Sequence, residues 1–389
     1  MALVGWSLIG VPAWRDAIWT GNDFPFIWGG PAAWLHGVNP YDPQQWPDAP
    51  ERLGASGHRE AVYDYPPWTT LALLPLGALP LETAAALWAY GGLALAIVAM
   101  FFLVREHLER APLAAMAVGF LLIVSQPAIQ NFFDGEFSLV LLAGLAAVTL
   151  GLRRRRETLG AIGLLALALK PTPFAIAFPA VLRAAFALGQ RRLVAIVLAA
   201  GALSLVVSFI MFPGWLGNYL AVVQQSRLAN AKTTVLPFAL RELFGTAGLV
   251  LGVVVLLVLV ALALRFDPRC DGYVAAWSAV AVLLTPYLHS YDQLVILVPL
   301  VVAIGALARR SVCLAYALVV FALVDLVVVA PLLINDIGIA LGRETLNAFV
   351  IVPLSLLILA ALWRDRASLT SSPVPASEAG RSAAVPTRR

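Results

Sequence analysis

Charge is scarce in this chain. Only 12% of its 389 residues are Asp, Glu, Lys or Arg, about half the share of an ordinary soluble domain. Lysine is almost missing: of 26 basic residues, all but Lys170 and Lys232 are arginine. There are two cysteines, Cys270 and Cys313, far apart in sequence, which excludes a disulfide framework or a cysteine metal site. No Gly-rich phosphate loop follows a strand, no Ser-His-Asp order carries a nucleophile elbow, and HExxH does not occur. No polar stretch is long enough to form a nucleotide-sugar domain. No internal repeat is evident, which weighs against inverted-repeat transporters. What is abundant is apolar: 61% of residues are hydrophobic and the mean hydropathy is +0.87. That excludes a soluble, disordered or fibrous chain and indicates an all-α polytopic membrane protein. The pI of about 9.3 comes from short arginine clusters between apolar runs. It reflects topology, and no nucleic-acid partner is expected.

A crossing helix needs roughly 20 apolar residues. The hydropathy pattern predicts about twelve crossings, over 1–13, 82–104, 112–129, 137–152, 158–169, 172–188, 193–212, 246–264, 273–288, 291–308, 312–331 and 347–363. The run 68–79 is left out, because twelve residues ending at Pro80 reach only ~18 Å as a helix. It reads as an interfacial or re-entrant helix. The first crossing is short, at ~20 Å, so a thinned membrane edge or a missing upstream start is expected. It lacks the basic flank and cleavage site of a signal peptide. With the N-terminus in the cytoplasm, 18 of the 26 basic residues fall on the inner side, as the positive-inside rule demands. Residues 1–367 then form one membrane domain, with outer loops at about 14–81 and 213–245. The second loop is expected to hold a short amphipathic helix. The tail 368–389, rich in Ser, Pro and Ala, reads as disordered cytoplasmic chain. The Ala, Leu and Arg bias suggests a GC-rich bacterial genome, hence a bacterial plasma membrane.

This topology gathers ionisable groups from four distant connections at the outer surface: Asp23; Asp134 and Glu136; Lys170; His289 and Asp292. Such groups at membrane depth are costly and mark functional sites. Each has a plainer reading. Asp23 fits a helix N-cap, Asp134-Gly135-Glu136 a solvated turn, Lys170 a snorkelling side chain, and His289 an interfacial histidine. The acid-x-acid spacing is a weak divalent-cation signal, so no cofactor is expected and the metal question stays open. Asp325, inside an apolar span, is expected to pair within the bundle.

Several runs resemble glycosyltransferase family 87. DFPFIWGGPAAWLHGVNPYD, with Asp23, Gly37, Pro40 and Tyr41, is similar to the family's first outer loop. YDYPPWTTLALLPLGALP (63–80) is similar to its Tyr-Pro-Pro segment. GEFS (135–138), ALKPTP (168–173) and LLTPYLHSYD (283–292) follow in the family's order. Glu136 stands where Gln is usual and Ser138 where Asn is usual. The resemblance implies a GT-C-type helix bundle, acting outside the membrane on a polyprenyl-phosphate sugar and a lipid or glycan acceptor. It implies Asp23 as base, with His289 orienting it or binding acceptor or phosphate. Lys170 would meet the leaving phosphate, with Arg227, Lys232 and Arg241 as secondary cations. Tyr41, Tyr65, Trp68, Asp134, Glu136 and Asp292 would contact sugar or acceptor. Trp28, Trp34 and Trp68 either stack on sugar or belong to the interfacial aromatic belt, and the belt is favoured. One base facing a good leaving group implies inversion. The leading expectation is a hexosyl, mannosyl-type transferase. A pentosyl transferase, such as an arabinofuranosyl enzyme, stays open. So do a transporter using Lys170, Asp292 and Asp325 and an inert assembly subunit.

Overall fold

The computed structural model describes residues 23–55, 63–229, 236–285, 288–333, 346 and 348–369. Among these residues every regular element is helical and no strand occurs. The helices are α1 (Phe24–Leu35), α2 (Ala49–Arg52), α3 (Pro67–Ala72), α4 (Leu74–Gly77), α5 (Leu81–His107), α6 (Pro112–Val124), α7 (Gln126–Asp134), α8 (Ser138–Arg153), α9 (Glu157–Leu167), α10 (Ala177–Ala187), α11 (Arg191–Met211), α12 (Trp215–Ala229), α13 (Leu236–Ala263), α14 (Gly272–Leu284), α15 (Leu297–Ala308), α16 (Val312–Val324) and α17 (Ala348–Leu369). Short 3₁₀ turns cover Thr172–Phe174 and Tyr291–Ile296.

Six stretches among the described residues are long and apolar enough to cross a membrane: Leu81–His107, Pro112–Asp134, Arg191–Met211, Leu236–Ala263, Tyr291–Ala308 and Val312–Val329. The crossings expected over 137–152, 158–169, 172–188, 273–288 and 347–363 meet shorter apolar helices. The two that flank Lys170 have 11 residues each, ~16 Å of helix. The backbone between them is a Lys-Pro-Thr-Pro turn, since neither proline can donate to a helical ladder. Non-helical backbone at membrane depth is tolerated when it is enclosed by protein or lines a cavity, and Lys170 itself is buried. The crossing expected over 1–13 and the tail 370–389 lie outside the described residues, as does Lys232.

Burial sorts the helices. Every residue of α15 and all but one of α14 are buried, and α8 is nearly so. A helix that is apolar all round belongs at the centre of a bundle. The outer helices turn large apolar side chains outward: Leu203, Val206, Phe209 and Ile210 on α11, and Val250, Val254 and Leu257 on α13. So much exposed hydrocarbon is far beyond what a soluble monomer tolerates and reads as a lipid-facing surface.

Two breaks shape the part near the site. The expected helix at 68–79 splits into α3 and α4 at Leu73. Gly77 of α4 sits so close to Pro31 and Ala32 of α1 that a Cβ would overlap their backbone. In α13, Gly245 has φ 61° and ψ −145°, a kink that divides the element. The kink falls just before the crossing expected over 246–264, and the preceding arm folds back on the helix that follows. A Cβ on Gly248 would overlap the Leu240 carbonyl, and one on Gly252 would overlap Pro237. The second loop does contain a helix, α12. It buries Trp215 while exposing Leu216 and Leu220, so the segregation expected of an amphipathic helix is weak.

Candidate active site

Helix ends converge at one end of the bundle. Helix α7 stops at Gly135, which has the left-handed conformation (φ 71°) that glycine adopts without strain at a helix C-terminus. The next residue, Glu136, is thereby turned inward just before α8 begins. Trp88 of α5 donates its indole N–H to the Gly135 carbonyl at 2.7 Å. The amide of Asp23 donates to the Asp134 carbonyl at 3.0 Å, tying the start of α1 to the same turn. Trp68 and Thr69 of α3 donate to the carbonyls of Ala168 and Leu169, which hold the turn carrying Lys170.

Lys170 is the hub. Its ammonium donates to Glu136 Oε2 at 3.1 Å and to Asp292 Oδ1 and Oδ2 at 3.1 and 3.3 Å. It also lies 4.8 Å from the centre of the Tyr291 ring. Tyr291 donates its hydroxyl to Glu136 Oε1 at 3.0 Å, and Ser138 donates to Asp292 Oδ1 at 3.1 Å. The His289 amide donates to Asp292 Oδ2, and the His289 ring stacks on Tyr291 with centroids 5.2 Å apart. Asp292 is 0% exposed, Glu136 5% and Lys170 8%. Charges this deep persist only when paired and hydrogen-bonded. Burial opposes ionisation of Glu136, but the adjacent Lys170 holds its carboxyl below the usual range. Burial likewise opposes the Lys170 charge, yet Asp292 and Glu136 keep its pKa above the ordinary lysine value.

Asp23 occupies the N-cap position of α1, but its side chain caps no first-turn amide. The plain capping reading therefore fails. The carboxyl instead shares a hydrogen bond with Glu136. Burial pushes it up to about 8; the charges of Glu136 and Asp134 add to the shift and that of Lys170 opposes it. One acid of this pair is thus held as a carboxylate and the other as a weak acid.

The remaining candidates divide. Asp134 abuts Asp23 and its side chain bonds Gln130. The Tyr65 ring packs on Phe137, and its hydroxyl feels the charges of Glu136, Asp64 and Asp23. Tyr41 is packed away from the cluster: its hydroxyl donates to the Tyr65 carbonyl at 2.9 Å, within an aromatic nest of Tyr63, Trp46 and Phe212. Trp28 is buried, with its indole on the Leu79 carbonyl. It belongs neither to a sugar platform nor to an interfacial belt. Arg241 is exposed on the arm before the Gly245 kink and makes no ion pair among the described residues. Arg227 lies on α12. Asp64 was not among the candidates. Burial, then the charge of Glu136, raises its carboxyl, so it faces the same cluster. Its signal was an acid between two tyrosines, Tyr63 and Tyr65, ahead of a proline pair. Among the described residues no group of three or more His, Cys, Asp or Glu is placed to hold a metal. Between Glu136 and Asp292, the place a cation would take is filled by the Lys170 ammonium.

The arrangement supplies a high-pKa carboxyl beside a charge-balanced, rigid platform. That is suited to taking a proton from a hydroxyl brought to Asp23. No curated protein and no solved structure matches the chain. The model of glycosyltransferase family 87 matches residues 63–290, a stretch holding Asp64, Glu136, Lys170 and His289 and more than half of the protein. The chain belongs to glycosyltransferase family 87, and is a membrane glycosyltransferase.

Proposed function

We propose that the protein transfers a hexose, of mannosyl type, from a polyprenyl-phosphate donor to a lipid or glycan hydroxyl on the outer face of a bacterial plasma membrane. The bundle would be of GT-C type with about twelve crossings. The observation that carries the reading is the Asp23–Glu136 pair braced by Lys170. An acceptor hydroxyl loses its proton to the Asp23 carboxylate. Its oxygen forms the new bond to the anomeric carbon as the carbon–phosphate oxygen bond breaks. The polyprenyl phosphate leaves with that electron pair, and configuration inverts. Positioned base catalysis of this kind contributes ~10²–10⁴-fold.

Within this reading we assign Lys170, which bonds Glu136 and Asp292, to bracing the base rather than to the phosphate role first expected of it. The departing phosphate then falls to the second loop, with Arg227, Lys232 and Arg241. The test is a transfer assay in membranes with radiolabelled polyprenyl-phosphate mannose and native lipid acceptors. Wild type should transfer label, and Asp23→Asn should not, at equal accumulation in the membrane. Equal transfer by both would remove Asp23 as the base.

A further inference from the structure

At the other end of α8 lies a cavity that the transfer reaction does not use. Helix α8 starts beside Glu136 and runs 16 residues, ~24 Å at 1.5 Å per residue. The cavity is therefore almost a full hydrocarbon thickness from the acidic cluster. Its volume is about 160 Å³, an order of magnitude above the ~10–15 Å³ needed for one water. Leu152, Leu188 and Val274 supply apolar wall, and Arg153, Arg155, Arg269 and Asp271 supply charge.

The charges do not cancel. Arg153 is bonded to Asp271 and to Glu106, so that acid is already matched. The Arg155 side chain makes no hydrogen bond or ion pair among the described residues. Arg269 has only a carbonyl, that of Ala187, for its Nε at 3.4 Å. Two guanidinium groups thus line an apolar-walled cavity without a carboxylate partner.

The backbone adds an independent sign. Arg155 has φ 54° and is the only non-glycine residue with positive φ among those described. It stands just past the end of α8, where the amide of Arg156 closes back onto the Gly151 carbonyl. The comparable positions after α1, α7 and α10 are Gly37, Gly135 and Gly189, with φ between 71° and 77°. A side chain there is strained, and strain retained against an available glycine points to a use for that side chain. Positive-inside topology explains arginine on this side of the bundle, but not arginine at this one position.

We propose that this cavity binds the phosphate headgroup of an anionic membrane lipid, with Arg155 and Arg269 as its ligands. The apolar wall between α8, α10 and α14 suits the start of the acyl chains, which inorganic phosphate lacks, and basic pockets between helices are recurrent anionic-lipid sites. The test uses the full chain, purified and stripped of lipid in mild detergent, with thermal unfolding as readout. Phosphatidylglycerol, phosphatidylcholine and inorganic phosphate are added separately to wild type, to the double variant Arg155→Gly/Arg269→Gln, and to Arg191→Gln/Arg192→Gln on the same side. Glycine is at ease at φ 54°, so the first substitution keeps the turn. Phosphatidylglycerol should raise the midpoint of wild type and of the Arg191/Arg192 control by several degrees, and the double variant should lose at least half of that rise. Phosphatidylcholine and phosphate should have no effect. The proposal is overturned by a full rise in the double variant, by an equal loss in the control, by no rise in wild type, or by a rise with phosphatidylcholine. A full rise with phosphate alone would mean a free-anion site and would overturn the lipid assignment.

Discussion

Asp23 and Lys170 carry the most specific consequences at the scale of single residues. Asp23, the proposed base, has its carboxyl pushed up to about 8 and is only about a tenth ionised at pH 7. Deprotonation activates it, so kcat/KM should rise about fivefold between pH 7 and 8 and level off above. Asp23→Asn should cost ~10²–10⁴-fold and abolish that pH limb. Measuring transfer from pH 6 to 9 checks both. Lys170→Met leaves Glu136 and Asp292 buried without their counter-ion. Removing one partner of a buried pair typically costs ~3–5 kcal/mol, so the variant should unfold far earlier in detergent. Asp292→Asn should be milder, because Lys170 keeps Glu136. Ionisable residues stand out in an apolar sequence, which is why Asp23, Asp134, Glu136, Lys170, His289 and Asp292 were legible as a group. Their partners were not. The double pairing of Lys170 joins segments 34 and 122 residues away, and no local pattern encodes it. Asp64 was hidden among aromatics in a segment that reads as surface loop.

At the scale of elements, small residues set the site. Helices α8 and α9 touch through Gly144 against Gly163 and Gly151 against Gly160; a Cβ on Gly163 would overlap the Gly144 carbonyl. Glu136 lies just before α8 and Lys170 just after α9, so the spacing of this pair sets the spacing of the ion pair. Gly163→Leu should wedge the helices apart and lower transfer at least tenfold without touching a site residue. Gly91→Leu, at an exposed position of α5 with open space around it, should leave transfer unchanged; comparing the two at equal accumulation decides. Apolar periodicity made the positions of these helices readable. Their breaks were less so. Pro127 ends the run of α6 after Val124, and prolines 171 and 173 shorten α9 and α10, because a missing N–H acts locally while hydropathy averages over many residues.

For the whole molecule, orientation is the open quantity. The inner-side arginine excess predicts that the loop before α16 faces the cytoplasm. Cys313, exposed at the start of that helix, provides the probe. A membrane-impermeant maleimide should label it only in inverted vesicles, while a cysteine placed at Gln44 in the first loop should react from outside intact cells. The reverse pattern would put the acidic cluster on the cytoplasmic side. The order in which the chain is made gives the Lys170 hub a further meaning. Glu136 precedes Lys170 by 34 residues, so the α8–α9 hairpin enters the membrane with one counter-ion for its buried lysine already in hand. Asp292 follows 122 residues later. Until that segment is synthesised the platform under Asp23 is half built, and a nascent chain stalled before it would be a membrane-inserted protein with no finished reaction centre.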